Sequence, residues 1–390
     1  MPNNGTIAIW CVPRANSAPT DLEAHFNYWR IAGDPAFLAK ARNAVEDFIE
    51  IGLLVTDITQ IDRIRIYIPT KVHRSSVEDC ARFLSQSQFA QGIFNEVFKI
   101  TAPVAGGTGC IELNDKPHSV FCRVHSFAHG SQGIEVNELE IAEQHDGTVL
   151  TILPDAIHEA CNHAAPPAPS YFRLRIHLKS GSEENPFVKV IQPHDRRFQS
   201  GFDEIEYIDF RMNEARTLPP AIEQRMRNDR AKGGEVAFKL IAFLTAVPVH
   251  SELSVSNTPS HKMRLLEQSW NGYVSSGIPD GMVVYHWKRQ APISDFSAFV
   301  KLQTRRSSRK ILLIYLVIAF IFGLGGNFAA SGIQALWDRA WTEMPASDVP
   351  SAVASPTADH KLVPALPARP AASDTDKTRR DQSNSVENKP

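Results

Sequence analysis

The sequence has few cysteines and no excess of charge of either sign. Of its 390 residues only five are cysteine, and they are widely spaced: Cys11, Cys80, Cys110, Cys122 and Cys161. This odd and scattered set favours reduced, partly buried thiols in a cytosol over the disulfide framework of a small secreted protein. With 41 basic and 43 acidic side chains the net charge is -2. Such a balance excludes attraction of the whole chain to nucleic acid, so we expect no nucleic-acid partner on this ground.

The first residues lack the pattern of a secretion signal. The apolar run Ile7 to Val12 has no basic residue before it and is interrupted by Pro13 and Arg14. A signal peptide needs a basic segment followed by a longer apolar one. We therefore expect this run to form the first strand of a folded domain.

Motifs of established catalytic classes are also missing. The sequence contains no GxSxG, HExxH or CxxC motif. Its glycine-rich turn, Ala105 to Gly109, lacks the Lys-Ser/Thr ending of a phosphate-binding P-loop. The sequence therefore favours a protein that is not an enzyme and needs no cofactor.

Histidine and cysteine are nevertheless concentrated between residues 118 and 163. The candidate metal ligands there are His125, His129, His158, Cys161 and His163. Zinc prefers imidazole and thiolate ligands, so one alternative is a membrane-tethered, zinc-dependent hydrolase. Against it, the segment around His125 and His129 is typical of a strand entering a loop, where residues four apart lie too far from each other to share an ion. The competing interpretation is a set of ordinary core and surface residues.

Two rows of basic residues alternate with apolar ones. Such alternation predicts strands with one apolar and one basic face. The predicted basic face consists of Arg63, Arg65, Arg173, Arg175, His177 and Lys179. If the rows were neighbours, they would form a groove for a nucleotide, a nucleic-acid strand or an acidic partner. The alternative is a sheet face whose arginines form cross-strand ion pairs.

Long hydrophobic runs are absent with one exception. Ile311 to Trp337 carries no formal charge over 27 residues, and about 20 helical residues suffice to cross the apolar core of a bilayer. We predict a single transmembrane helix over 311–333. Five basic residues precede it closely, Lys301, Arg305, Arg306, Arg309 and Lys310, whereas only Arg339 follows closely. By the positive-inside rule we expect a single-pass cell-membrane protein with its N-terminal domain in the cytosol.

Small residues crowd the second half of this span. The candidate packing residues are Gly323, Gly325, Gly326, Asn327, Ala329 and Ala330. Small residues four apart let two membrane helices approach closely, and the asparagine can hydrogen-bond across such an interface. This predicts self-association. The alternative is that glycine and alanine are simply common in membrane helices.

The segment 344–390 is of low complexity. Its 47 residues include seven Pro, eight Ala and six Ser and no aromatic residue. A segment of this composition buries too little apolar surface to offset its chain entropy. We predict a disordered tail, outside the cytosol, that serves as an extended linker or is inert.

The first 300 residues predict an α+β fold, mostly antiparallel β with flanking helices. A Pro-rich stretch, 164–170, divides an N-terminal α+β unit (1–163) from a β-rich unit (171–300), although one domain is equally consistent. Helices are expected from Asp34 through Phe48, from Ser75 onward and over Lys262 to Trp270, where apolar residues recur at helical spacing.

These observations predict a membrane-anchored binding protein. Its cytosolic domain would bind a ligand or a protein partner, as a sensor, effector or scaffold, and its helix would contact lipid and self-associate. The alternatives are the zinc-dependent hydrolase and a nucleotide- or nucleic-acid-binding domain that uses the basic face.

Overall fold

The computed structural model describes most of the chain up to residue 342. The described residues are 5–34, 37, 45–101, 110–116, 119–161, 167–178, 185–191, 203–257, 262–305 and 309–342. The predicted tail 344–390 lies outside them. Two units are distinguished, residues 1–318 and residues 319–390, and the folded part described here belongs to the first.

Strands account for most of the described elements. In chain order they are β1 Thr6–Pro13, β2 Thr20–Trp29, β3 Asp47–Val55, β4 Ile61–Ile68, β5 Val77–Asp79, β6 Lys99–Thr101, β7 Ile111–Lys116, β8 Ser119–Val124, β9 His129–Gly130, β10 Gly133–Ile134, β11 Leu139–Gln144, β12 Gly147–Ile152, β13 Ser170–Leu178, β14 Val188–Ile191, β15 Asp203–Met212, β16 Val236–Pro248, β17 Ser251–Ser256, β18 Lys262–Leu265, β19 Met282–Ile293 and β20 Phe296–Arg305. The described helices are α1 Ser87–Phe94, α2 Pro154–Cys161, α3 Pro220–Arg230 and α4 Arg309–Thr342, with 3₁₀ helices at Ile58–Gln60, Arg74–Ser76, Ala81–Ser85 and Gln268–Tyr273. These elements confirm the predicted α+β class.

Two large sheets organise the strands in the described part of the chain. The eight-stranded sheet has the order β11-β12-β4-β1-β15-β20-β17, with β14 also paired to β15. The ten-stranded sheet has the order β18-β19-β16-β2-β3-β13-β8-β7-β6, with β5 also paired to β13. Pairing is parallel between β1 and β15, β2 and β16, and β8 and β13, and antiparallel in the other described pairs. Strands from both sides of residues 164–170 therefore share both sheets.

The main core lies between the two sheets. In β4, Ile64, Ile66 and Ile68 are fully buried on one face, as their alternation predicts. Aromatic rings join the sheets directly, because Phe210 of β15 stacks on Phe243 of β16 with ring centroids 4.4 Å apart. Burying an aromatic or aliphatic side chain of this size stabilises the fold by about 1.5 to 3 kcal/mol.

An ion network also joins the sheets. Arg30, just after β2, donates to Asp47 of β3 at 2.7 Å and to Glu206 of β15 at 2.7 Å. The two carboxylates are buried. Because breaking a buried pair leaves an uncompensated charge, this network fixes how the two sheets stack.

Each large sheet also carries an outer layer. On the ten-stranded sheet, Trp29 and Phe48 pack against Phe89 of α1 and against Trp270 and Tyr273 of the last 3₁₀ helix. On the eight-stranded sheet, α3 packs over β1, β4 and β12 through the buried residues Ala8, Trp10, Tyr67, Val149, Leu218, Ile222 and Met226.

Tertiary pairing overrides local periodicity in one predicted helix and at the end of another. In the helix expected from Asp34 through Phe48, Phe37 is helical and its N–H donates to Asp34 Oδ1 at 3.1 Å, as an N-cap requires. Asp47 and Phe48 belong instead to β3, and residues 35, 36 and 38–44 lie outside the described residues. Strand β3 is buried along its whole length between β2 and β13, and such a strand shows no period-two pattern. The helix expected from Ser75 is replaced by a 3₁₀ turn, the short strand β5 and a second 3₁₀ helix.

The helix predicted over Lys262 to Trp270 is also wrong. Lys262–Leu265 forms the edge strand β18, and a 3₁₀ helix follows over Gln268–Tyr273. Helical spacing of Met263, Leu266 and Trp270 suggested one apolar face. Only Trp270 is buried in the aromatic cluster, whereas Met263 is 65% exposed.

Helix α4 is different in kind from the rest of the chain. Its segment Leu313–Arg339 comprises 27 residues and contains an 18-residue window with a mean hydropathy of 2.0. None of the segment is buried against the rest of the protein. In length and composition it is sufficient to span a membrane, as predicted.

Candidate functional site

The basic row on β13 is buried rather than open to a ligand. The side chains of Arg173 and Arg175 are 0% and 1% exposed. Both donate to Glu50 of β3: Arg173 Nη2 to Oε2 at 2.5 Å and Arg175 Nε to Oε1 at 3.0 Å. Burial by itself raises the pKa of Glu50, but the two guanidinium groups outweigh it and the pKa is lowered. Glu50 is therefore held ionised between two cations.

The outer layer supplies the remaining partners of these arginines. Arg173 Nε donates to Tyr273 Oη at 3.2 Å, and its Nη1 donates to Tyr171 Oη at 2.9 Å. Arg175 Nη2 donates to the Tyr273 carbonyl at 2.9 Å and Nη1 to Glu78 at 3.1 Å. Every guanidinium nitrogen of both residues thus has a protein acceptor.

Aromatic rings enclose the same cations. The guanidinium carbon of Arg175 lies 4.6 Å from the ring centroid of Phe48, 4.8 Å from that of Tyr273 and 5.1 Å from that of Phe83. Cation–π contacts of this kind are strongest where water is excluded. The arrangement holds the 3₁₀ segments onto the sheet, and the buried guanidinium groups are occupied by protein acceptors rather than open to a ligand.

The other members of the predicted basic face lie elsewhere. His177 is half-buried, 3.6 Å from Glu78, and Lys179 lies outside the described residues. Arg65 pairs with Asp229 of α3, and Arg63 pairs with Asp62 at 2.7 Å. Because these two arginines are on β4 of the eight-stranded sheet, the structure does not bring the two rows together.

The candidate metal ligands are also dispersed where the structure describes them. His125 is buried with Nε2 3.4 Å from Glu138, and His129 Nδ1 lies 2.8 Å from the Phe127 carbonyl oxygen. His158 and Cys161 are on α2, while the side chain of Cys161 and all of His163 lie outside the described residues. Among the described residues no three His, Cys, Asp or Glu side chains are placed to hold one metal ion. Zinc binding stays a prediction.

A buried carboxylate lies beside His125. Asp79 accepts hydrogen bonds from the backbone N–H groups of Ala81 at 3.0 Å and Phe127 at 3.1 Å, and from the Ser126 hydroxyl at 3.2 Å. Burial raises its pKa to about 6 despite these bonds. This carboxylate connects the end of β5 to the loop after β8, which is a structural role.

Exposed apolar side chains are concentrated at one side of the two sheets. Before α4, the described residues include six exposed large apolar side chains: Val97, Val136, Val249, Val255, Met263 and Leu265. Four of the six lie within 249–265, on or beside β17 and β18. These strands are the edges of the eight-stranded and ten-stranded sheets and are joined by only five residues, 257–261. We call this region the 249–265 edge.

The two sides of β18 differ in character. Met263 lies opposite Tyr285 of β19, and Leu265 lies opposite Val283. Tyr285 belongs to the core between the sheets, and Val283 packs against it. Since side chains alternate along a strand, Lys262 and Arg264 lie on the other face. The edge therefore presents an apolar row toward the space between the sheets and a basic row on its outer side.

The outer basic row extends onto β19. Lys262 lies opposite His286, and Lys288 follows two residues later on the same face. Arg264 pairs with Glu267 at 2.7 Å. Within the described residues, Lys262 and Lys288 form no ion pair. These two lysines are thus available to acidic groups of a partner.

Sequence reasoning missed this edge because the segment was assigned to a helix. The letters Lys-Met-Arg-Leu of 262–265 carry the alternation of polar and apolar residues that is typical of a strand. Four residues are too few for that signal to prevail over the helical spacing of a longer window.

The small residues predicted for packing in the membrane lie on an open helix. A Cβ atom added to Gly323, Gly325 or Gly326 meets no atom within 4 Å apart from the helix itself. Asn327, Ala329 and Ala330 are exposed on the same helix. Self-association through these residues stays a prediction.

Comparison with known proteins gives no family. No protein-family model matches this chain, and no curated protein matches it. Among solved structures it is matched to a yeast delta-COP-I mu-homology domain complexed with a Dsl1 WxWxV peptide. The identity is 11%, the match covers 77% of this chain and 80% of that chain, and the TM-score is 0.16. At that TM-score the match carries no argument about fold or function.

Proposed function

We propose that this chain is a single-pass membrane protein whose β-sheet domain binds an extended segment of a protein partner in the cytosol. The observation that carries the proposal is the concentration of exposed apolar side chains on the 249–265 edge. A monomeric protein normally protects such an edge, because its unpaired backbone groups pair readily with other chains.

Strand addition is the binding mode that this geometry favours. Strand β18 pairs only with β19 within the described residues, so its outer edge has no described partner strand. An extended peptide that adds to such an edge gains main-chain hydrogen bonds, and its alternating side chains give specificity. The peptide would continue the sheet beyond β18.

The two faces of the edge define the chemistry of the partner. Side chains on one face of the peptide would meet Met263 and Leu265 and should be apolar. Those on the other face would meet Lys262 and Arg264 and should be acidic, since opposite charges across strands are favourable. The occupant is therefore a segment in which apolar and acidic residues alternate.

The contribution of Met263 and Leu265 to peptide affinity can be calculated from the exposed fraction of each side chain. Met263 and Leu265 are 65% and 63% exposed. Fully burying such a side chain contributes about 1.5 to 3 kcal/mol, so covering the exposed part contributes about 1 to 2 kcal/mol each. At about 1.4 kcal/mol per factor of ten, loss of either one weakens binding roughly 5- to 30-fold.

Membrane attachment rests on α4 and on the charges before it. The segment Leu313–Arg339 is apolar and unburied. Five basic residues precede it, which favours a cytosolic sheet domain and an outer location for residues 344–390. Attachment would hold the 249–265 edge near partners at the cytosolic membrane surface.

The test uses the full chain in lipid nanodiscs and a fluorescent nine-residue peptide in which Glu alternates with Val. The control peptide alternates Lys with Val. Fluorescence anisotropy should show binding of the Glu peptide and none of the Lys peptide. Met263→Asp should weaken binding roughly 5- to 30-fold or more. Val97→Asp, at an exposed apolar site away from the edge, should leave it unchanged.

Two results would remove the proposal. One is binding of the Glu peptide that Met263→Asp and Leu265→Asp leave unaltered. The other is equal binding of the Glu and Lys peptides, which would show that the basic row plays no part.

A further inference from the structure

A separate cleft lies where the far end of β19 meets α3 and β1. It has a volume of about 580 Å³, within the range of small-molecule sites of roughly 300 to 1,000 Å³. Its walls are mainly apolar and include Trp10, Leu22, Phe238, Pro292 and Ile293. Ligand sites typically combine such walls with a few polar groups that orient the ligand.

The cleft contains one cation without a described partner. Arg230, the last residue of α3, lines it, and no carboxylate in the described part of the chain lies within ion-pair distance of its guanidinium. Its neighbours on the same helix differ in this respect: Arg227 pairs with Glu223, and Asp229 is bound by Arg65 and by Lys232. Arg230 is exposed at the end of the helix, so a ligand can reach its guanidinium, and the partial loss of surrounding water lowers its pKa.

The thiol of Cys11 in this cleft is not a reactive group. The thiol lines the same space and is buried. Burial raises its pKa to about 12, although the nearby Arg230 acts in the opposite direction. A thiol with this pKa is uncharged at neutral pH, so it neither neutralises Arg230 nor acts as a thiolate nucleophile.

The part of the wall formed by Gly233 and Gly234 is fixed in position before any ligand arrives. A Cβ added to Gly233 would lie 2.1 Å from the Arg14 carbonyl oxygen, and one added to Gly234 would lie 2.5 Å from that of Ser17. Gly234 N–H also donates to the Ser17 hydroxyl at 2.9 Å. Only glycine allows this close approach of two backbones, and a pre-formed wall lowers the entropy cost of binding.

The carboxylate of Glu235, in the same cleft, favours some kinds of anionic ligand over others. Glu235 lines the cleft but makes no described ion pair with Arg230. Its negative charge disfavours a dianion such as a phosphate monoester more than a monoanion. A planar carboxylate also matches the fork of donors on a guanidinium.

We propose that this cleft binds a small organic carboxylate with an apolar or aromatic body, oriented by the Arg230 guanidinium. The site is distinct from the 249–265 edge. Tyr285, beside β18, and Ile293, in the cleft, are eight residues apart on β19, or about 26 Å at 3.3 Å per residue. The inference does not depend on the proposed function.

The experiment compares matched probes on the full chain in lipid nanodiscs by ligand-observed NMR titration, with empty nanodiscs subtracted. The probes are benzoate and indole-3-acetate, their uncharged analogues benzamide and indole-3-acetamide, and phenyl phosphate. Each carboxylate should bind at least about tenfold more tightly than its amide, since a hydrogen-bonded charged pair contributes at least that factor. Phenyl phosphate should bind more weakly than benzoate.

Variants identify the group responsible. Arg230→Gln should bring the carboxylate-to-amide ratio to about one, and Arg230→Lys should retain part of the preference. Arg227→Gln, on the same helix but outside the cleft, should leave the ratio unchanged. Ile293→Trp, which fills the cleft, should weaken carboxylate and amide together.

Three outcomes would overturn the inference. They are equal binding of carboxylates and amides to the unaltered chain, an unchanged ratio in Arg230→Gln, and tighter binding of phenyl phosphate than of benzoate. Thermal unfolding of Arg230→Gln checks that the variant folds. Met263→Asp should leave carboxylate binding intact, which separates this test from that of the peptide.

Discussion

Replacing Glu50 by glutamine tests the assignment of the β13 arginines to the interior. Glu50→Gln keeps the shape of the side chain but leaves the buried guanidinium groups of Arg173 and Arg175 without their shared anion. Removing one partner of a buried ion pair costs about 3 to 5 kcal/mol. For a domain of this size each kcal/mol lowers Tm by about 2 to 4 °C, so we expect a fall of roughly 6 to 20 °C.

A nearby glutamate provides the matched control. Glu78 also contacts Arg175, at 3.1 Å, but its side chain is 27% exposed. Glu78→Gln should therefore cost no more than about 1 kcal/mol, as expected for a partly solvated pair. Both variants are made in the full chain and followed by thermal unfolding with intrinsic fluorescence and by urea titration.

The pH dependence supplies a second readout of the same network. The pKa of Glu50 is lower in the folded chain than its ordinary value. Its contribution to stability is therefore present above about pH 4.3 and is lost as the pH falls through the lowered pKa. Glu50→Gln should lack this acid loss. The reasoning is refuted if Glu50→Gln costs less than about 1 kcal/mol, or no more than Glu78→Gln does.

Three further predictions concern other parts of the chain. Because burial raises the pKa of Asp79 to about 6, the folded state holds a proton that the unfolded state has lost between about pH 4 and 6. In the unaltered chain the free energy of unfolding should therefore fall as the pH rises from about 4 to about 6. Urea titration at each pH should show that this fall is absent in Asp79→Asn. If the small residues of α4 mediate self-association, Gly326→Leu should reduce the signal of a membrane two-hybrid assay several-fold, whereas Phe322→Leu should not; equal signals would contradict the small-residue interface. Trp10 donates to the buried Asp229 at 2.9 Å, so Trp10→Phe should destabilise the chain by about 1 to 3 kcal/mol in the same unfolding assays, and a change below about 0.5 kcal/mol would be inconsistent with that hydrogen bond.

Individual elements were predictable from the sequence where a strand has one apolar face. Alternation in β4 identified Ile64, Ile66 and Ile68 as core residues, and each is buried. The single long apolar run likewise identified α4. In both cases residues close together in the sequence record the surroundings of the element: β4 has one buried face, and α4 is apolar on all sides.

The errors arose where distant strands decide the structure. Strand β3 is buried on both faces between β2 and β13, so its sequence lacks alternation and resembles part of a helix. The arginines of β13 alternate as a solvated face would, yet Glu50 and Tyr273 bury them. No local pattern records a counter-ion that lies 123 or 125 residues away in the chain.

The candidate sites were less predictable still. The apolar side of β18 is a candidate binding surface only because β18 is the edge strand of its sheet. Its place at the edge depends on the pairing with β19 and is not visible in the sequence of β18 itself. The cleft near Arg230 joins residues from β1, β2, β16 and β19 with the end of α3. Such a combination of distant segments cannot be inferred from spacing in the sequence.

If α4 crosses the membrane as proposed, the sheet domain lies in the cytosol and residues 344–390 lie outside it. The most direct measurement introduces one reporter cysteine at a time, by Val97→Cys in the sheet domain or Ser383→Cys beyond α4, and labels cells with a membrane-impermeant maleimide. Val97 is 76% exposed, so a cysteine there is accessible to reagent. We expect labelling of the Ser383→Cys chain in intact cells and of the Val97→Cys chain only after permeabilisation. Labelling of both chains, or of the Val97→Cys chain alone, in intact cells would contradict this topology.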